Sequence, residues 1–255
     1  MLQRRFDFLR AAGRRALVCY VTSGHPDRAA SVALVQGIAD AGADVIELGV
    51  PFSDPVADGP VIQESSQRAL DAGMTLDGTL DVAAAARPGV PLVLFSYLNP
   101  ILAAGRDVLD RAADAGFSGV LVTDLPVGAD PVREQWIGSG PLAFVRLVAP
   151  TTPDVRMAEI ARHGSGFVYL ISRLGVTGAR AELPPDLPDT VRRLRGACSL
   201  PICVGFGVSS PAQAKAVGDI ADGVVIGSAL VSAAARSVDE GVALVRALRA
   251  ALDDR

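Results

Sequence analysis

Glu47 stands inside the apolar run "DVIELGV" (44–50), flanked by Ile46 and Leu48. Strand alternation puts Val45, Glu47 and Gly49 on one face and Asp44, Ile46 and Leu48 on the other. Burying a carboxylate is costly unless it is paired, and burial raises its pKa toward the range where it can hand a proton to a substrate and take it back. The alternative to acid–base work is a structural ion pair, for which Arg146, inside a later strand, is the natural partner. Asp58 follows in the Pro- and Gly-punctuated loop "PFSDPVADGP", where it can fold back over the strand ends and accept a hydrogen bond from a substrate N–H. Its competing role is an Asx turn within "ADGP". Asp54, before Pro55, reads as a turn initiator.

A second constellation lies near the C-terminus. "VGFGVSSP" and "VIGSAL" each set glycine at a strand end with small hydroxyl residues opening the next helix. Glycine lets the backbone approach an anion, and a helix N-terminus offers unpaired N–H groups with partial positive charge. Gly207, Gly227 and Ser228 are therefore candidate phosphate ligands, joined by Gly178 of "GVTGA"; ordinary capping is the plainer reading of each. Tyr20, Tyr97 and Tyr169, with Asn99 and Asp124, fall toward the ends of strands and suggest a flat apolar cavity with polar tips, suited to an aromatic substrate.

Eight strand-length apolar runs position these groups: 16–22, 44–50, 91–98, 119–125, 142–149, 166–172, 201–208 and 223–230. Ala-rich amphipathic segments ending in glycine alternate with them, as helices do. Eight β/α units in 255 residues predict a single-domain (β/α)8 TIM barrel with an N-terminal helix, an α/β fold whose chemistry sits at the C-terminal strand ends. The loops after strands 2 and 6 are longer than a plain connection needs, so they are candidates for a lid.

Composition excludes several classes. The net charge of -4 offers no basic face for nucleic acid. No apolar run reaches membrane-spanning length or forms a secretory signal, which predicts a cytoplasmic protein. The 3 cysteines lack CxxC spacing and the 2 histidines lack ligand spacing, so no metal or other cofactor is expected. Lys215, the chain's only lysine, falls in a polar helical stretch and is poorly suited to a Schiff base.

"ELGVPFSDPVADGPVIQ" closely resembles the signature of the tryptophan synthase alpha subunit family. "YVTSGHP", "YLNPI", "TDLP", "FVYLISRLGVTGA", "VGFGVSSP" and "VIGSAL" follow in the family's order, extending the likeness over roughly 15–235. The resemblance implies retro-aldol cleavage of indole-3-glycerol phosphate to indole and glyceraldehyde 3-phosphate in tryptophan biosynthesis. By position, it implies that Glu47 moves the proton at indole C3 and that Asp58 binds the indole N–H, with Tyr169 near the reacting centre. Tyr20, Ile62, Leu121 and Phe206 match the indole pocket, and Gly178, Gly207, Gly227 and Ser228 the phosphate site. Thr177 matches a lid residue that holds Asp58 on closure.

The resemblance also implies a pyridoxal-phosphate-dependent beta subunit as partner, in a two-alpha, two-beta assembly. The loop bearing Asp54 and Pro55 and the segment around Pro126 resemble the partner-facing surface. Two departures fall near that surface: "GHP" (His25) where the family has "GDP", and "VGA" (127–129) where acidic residues commonly follow "DLP". The rival readings are a stand-alone lyase that releases free indole, a phosphosugar isomerase, and an idle alpha-like protein that only activates a partner. Retention of both Glu47 and Asp58 counts against the last.

Overall fold

Eight parallel strands close on themselves in the order β1-β2-β3-β4-β5-β6-β7-β8, in a computed structural model that describes residues 1–171, 184–205 and 207–254. The chain enters through α1 (Leu2–Ala11), β1 (Ala16–Thr22), α2 (Arg28–Asp40) and β2 (Val45–Gly49). Next come α3 (Pro60–Asp71), α4 (Leu76–Ala86), β3 (Leu92–Ser96), α5 (Leu98–Ala103), α6 (Val108–Asp114) and β4 (Phe117–Val122). The second half runs α7 (Pro131–Gly138), β5 (Ala143–Val148), α8 (Asp154–Arg162), β6 (Val168–Ile171), α9 (Leu187–Ala197) and β7 (Ile202–Gly205). It ends α10 (Pro211–Ile220), β8 (Gly223–Ile226), α11 (Ser228–Arg236) and α12 (Val238–Asp253).

The strands are nearly continuous in Val, Ile and Leu because both faces are covered. The outward-facing Leu17, Ile46, Leu48, Leu94 and Val204 pack under the helices. The inward-facing Val18, Val45, Val93, Leu121, Val145 and Cys203 fill the barrel and meet Leu2, Phe6 and Leu9 of α1. That helix stops the end of the barrel remote from the strand C-termini: a Cβ on Gly166, just before β6, would lie 2.6 Å from Leu2. Beside it Asp44, buried, takes the Leu17 amide at 2.8 Å, Arg249 at 3.0 Å and Arg5 at 2.6 Å. These bonds tie the residue before β2 to β1 and to α12, and so fix the strand that carries Glu47.

All eight strands overlap the predicted apolar runs: β1 matches its run in full, β4 begins before its run 119–125 and ends earlier, and the other six are shorter than theirs. The run 223–230 departs most at a single end: the strand ends at Ile226, and Ser228 already opens α11. The sequence "SALVSAAA" is as apolar as a strand, but its small residues favour helix. Tyr97 lies just past β3, as N-cap of α5, and Tyr169 is the second residue of a four-residue strand, so neither occupies the C-terminal half of a strand. No helix among the described residues is long and apolar enough to cross a membrane.

Candidate active site

A cavity of about 510 Å³ opens at the C-terminal strand ends, and Tyr20, Glu47, Asp58, Ile62, Tyr169, Gly227 and Ser228 all contribute to its wall. Glu47 points inward from the middle of β2, between Tyr20 on β1 and Val93 on β3. Its side chain is fully buried and neither carboxylate oxygen has a hydrogen-bond partner among the described residues. Burial alone pushes its pKa up to about 8. The ion-pair alternative is thereby overturned. Arg146 extends to the outside of the barrel, where it pairs with Glu134 at 3.0 Å.

Asp58 is buried at the mouth, after the β2 loop turns back through the Asp58 N–H to Pro55 carbonyl bond of 3.0 Å. Its carboxylate accepts the Tyr97 hydroxyl at 3.0 Å rather than closing an Asx turn. Burial raises its pKa to about 6, with the Tyr97 bond pulling the other way. Tyr97 in turn accepts the Ala57 amide at 2.9 Å and lies 5.0 Å, centroid to centroid, from Phe52. Sequence reasoning assigned Tyr97 to the pocket wall; in the structure it stands behind Asp58 and holds it.

Two phenols fold flat over glycines on adjacent strands. A Cβ at Gly49 would lie 2.2 Å from the Tyr20 hydroxyl, and one at Gly205 would lie 2.2 Å from the Tyr169 hydroxyl. Only glycine leaves room for either ring. Phe95 meets Tyr20 edge-on at 5.0 Å and completes an aromatic corner. The cavity is thus apolar on its flanks, with one neutralisable carboxyl at its floor and another at its lip.

At the opposite side, α10 and α12 begin with serine caps, Ser210 and Ser237. By contrast α11 begins at Gly227 with no side-chain cap, next to the cavity. A Cβ at Gly227 would touch Tyr20 no closer than 3.7 Å, so neighbouring atoms do not demand glycine there. A helix start without a side-chain cap at the cavity edge can receive an anion on its first amides. Gly207, with φ 91°, makes the left-handed turn after β7 and is not part of the cavity wall. Leu121 is fully buried in the barrel interior, below the wall. Thr177, Gly178 and Phe206 lie outside the described residues.

Sequence reasoning missed Phe95, Thr123, Pro126, Leu147 and Arg156, all of which line the cavity. Two of these had a readable signal: Phe95 shares its strand face with Val93, and Leu147 shares one with Val145. Lys215 is outside the site altogether, exposed on α10 and paired with Asp254 at 3.4 Å.

Comparison with known proteins places the chain. The family model described as "Tryptophan synthase alpha chain" matches residues 6–253. A tryptophan synthase alpha chain of Caulobacter vibrioides (strain NA1000 / CB15N) is 47% identical over 235 residues, covering 90% of this chain and 85% of the relative. One from Laribacter hongkongensis is 46% identical, covering 99% of this chain and 98% of the relative. Among solved structures, Mycobacterium tuberculosis tryptophan synthase superposes with a TM-score of 0.92 at 37% identity, covering 98% of this chain and 97% of that one.

Proposed function

The chain belongs to the tryptophan synthase alpha chain family and is a lyase that cleaves indole-3-glycerol phosphate, and from that premise we propose how its residues divide the work. Glu47, neutral below pH about 8, delivers a proton to indole C3. Asp58, ionised above pH about 6, accepts the indole N–H and stabilises the charge that protonation creates. The resulting indolenine accepts the electron pair released when the C3–side-chain bond breaks, as the glycerol hydroxyl gives its proton to the Glu47 carboxylate, restoring the acid, and becomes the aldehyde of glyceraldehyde 3-phosphate. The indole ring lies among Tyr20, Phe95, Ile62 and Leu147. Tyr169 borders the reacting carbons, and Leu121 supports the floor beneath them.

The phosphate is held by the amides and hydroxyl at Gly227 and Ser228, with Gly207 shaping the neighbouring turn. Gly178 and Phe206 complete the phosphate and indole ends, and Thr177 engages Asp58 when the loop after β6 closes. All groups needed for this chemistry are side chains and amides of the chain itself. The enzyme works as one barrel domain in the cytoplasm.

The observation that carries this reading is the unpartnered, fully buried Glu47 facing the same cavity as Asp58 and the glycine-led start of α11. A phosphosugar isomerase would use a single base and would leave Asp58, held in place by Tyr97, without a task.

The chain works with a tryptophan synthase beta subunit seated on the cavity mouth, in a two-alpha, two-beta assembly. Among the described residues, the exposed large hydrophobics apart from Met1, Phe8 and their surroundings at α1 are Val56, Leu102, Val132 and Val155. These four follow β2, β3, β4 and β5 in turn, so they ring one side of the mouth. Their shared position after consecutive strands supports a partner surface at the mouth, where the cavity also opens.

The deciding experiment measures indole release from indole-3-glycerol phosphate, with and without a beta subunit, using Glu47→Gln as control. Release that the partner accelerates and the variant loses is expected. Fast release that ignores the partner identifies a stand-alone lyase, and no release from folded protein overturns the assignment of roles.

A further inference from the structure

The segment that leads from β4 into α7 is gripped from outside by charged side chains that hold its main chain. Arg146 on β5 and Glu134 on α7 are 4% and 8% exposed and pair at 3.0 Å. Neither stops at the other. Arg146 also donates to the Leu125 carbonyl at 3.2 Å and the His163 carbonyl at 3.0 Å, with its guanidinium 3.6 Å above the Phe144 ring. Glu134 accepts the Gly128 amide at 2.7 Å and the Asp130 amide at 3.3 Å. From α8, Arg156 donates to the Val127 carbonyl. The loop's own side chains at 127–129, Val-Gly-Ala, supply no polar group for this purpose.

A buried ion pair is a poor device for stability alone, since apolar residues of similar volume usually serve as well or better. A guanidinium differs in having donors fixed in a rigid fork, which suits it to setting the positions of several acceptors at once. Here the fork and its carboxylate partner together fix a donor-and-acceptor pattern on one short loop. That loop faces two ways. Pro126 forms part of the wall of the catalytic cavity, and Val132, just beyond the loop, belongs to the exposed apolar ring.

We infer that the Arg146–Glu134 pair is a positioning device that sets the β4–α7 loop by its main chain, and with it the edge of the docking surface for the beta subunit. The inference rests on the partner reading given above. It also accounts for a loop that lacks acidic side chains at 127–129 yet is held by the pair at each of Leu125, Gly128 and Asp130.

The test is the double substitution Arg146→Met with Glu134→Leu, which removes both charges while keeping apolar volume. Neither residue lines the cavity. The variant is expected to fold, with indole release in the absence of partner within about two-fold of the parent, because paired removal leaves no orphan charge. Amide exchange at Gly128 and Asp130 is expected to quicken by about ten-fold or more as local opening becomes easier. Affinity for a recombinant tryptophan synthase beta subunit is expected to fall by about ten-fold or more, as the docking edge loses its set position. Unchanged exchange, or faster exchange with unchanged affinity, overturns the inference. Should the double variant fail to fold, Glu134→Gln, close in volume to the parent, gives the same two readouts. A parent protein that binds no beta subunit overturns the partner reading instead, and exchange at the two amides still reports whether the pair holds the loop.

Discussion

The Tyr97 hydroxyl gives its hydrogen to Asp58 Oδ2 at 3.0 Å while accepting the Ala57 amide at 2.9 Å. One phenol therefore fixes both the backbone before the carboxylate and the carboxylate itself, so Asp58 is aimed before any substrate arrives. Preorganisation of this kind removes an ordering cost from the reaction.

Tyr97→Phe removes a bond that favours the ionised carboxylate, so the Asp58 pKa rises above its present value of about 6. The acidic limb of the kcat/KM profile is expected to move to higher pH. The loss is then largest at low pH: about ten-fold near pH 6 and about three-fold near pH 8, in keeping with one charge-assisted hydrogen bond. A uniform loss at every pH, measured from pH 5 to 9, would mean that the phenol acts only by packing.

The parent enzyme is expected to show a bell-shaped profile. Activity rises as Asp58 ionises through about pH 6 and declines as Glu47 loses its proton through about pH 8. In the Glu47→Gln variant residual turnover should be lower by about 10²–10⁴-fold, the usual share of a general acid, and the alkaline limb should vanish from whatever remains.

Glu47 also predicts a cost in stability. Its folded pKa of about 8 exceeds the ordinary 4.5, so the folded state binds the proton more tightly than the unfolded state does. Stability from this group is present below pH 4.5 and is lost as pH rises toward 8. By pH 7 the loss is up to roughly 3 kcal/mol, at about 1.4 kcal/mol per pH unit. Glu47→Gln is uncharged at every pH, so urea unfolding should find it gaining on the parent steadily between pH 5 and pH 8. A constant difference across that range would refute the burial argument.

Gly49→Ala places a Cβ 2.2 Å from the Tyr20 hydroxyl. The ring must swing toward the cavity, which should raise KM for indole-3-glycerol phosphate and lower stability by roughly 1–3 kcal/mol, the range for overpacking a core. Steady-state kinetics and thermal unfolding report the two effects separately.

The barrel was legible because its signal is repetitive: eight apolar runs, each set apart by a helical segment, leave little choice of architecture. Glu47 was legible for the opposite reason, as a single charge where the pattern allows none. The two environments of Glu47 and Arg146 were not legible. Both are charged residues inside strands, and only the register shows that one faces the cavity while the other faces α7. Tyr97 illustrates the same limit. Its residue type suggested a wall, but its partner is 39 positions earlier in the chain, a separation that local periodicity does not encode. Arg156 carries no sequence signal at all, since a charged residue in the first turn of an amphipathic helix is ordinary.

Leu2, Phe6 and Leu9 of α1 seat a stopper in the end of the barrel opposite the strand C-termini. Substrate, indole and the three-carbon phosphate must then share the mouth as common doorway, with arrivals and departures taking turns. A protein docked over such a doorway governs traffic without touching a reacting atom: it can delay the exit of one product or offer it a passage onward, and the timing of the cycle passes to whatever stands at the door.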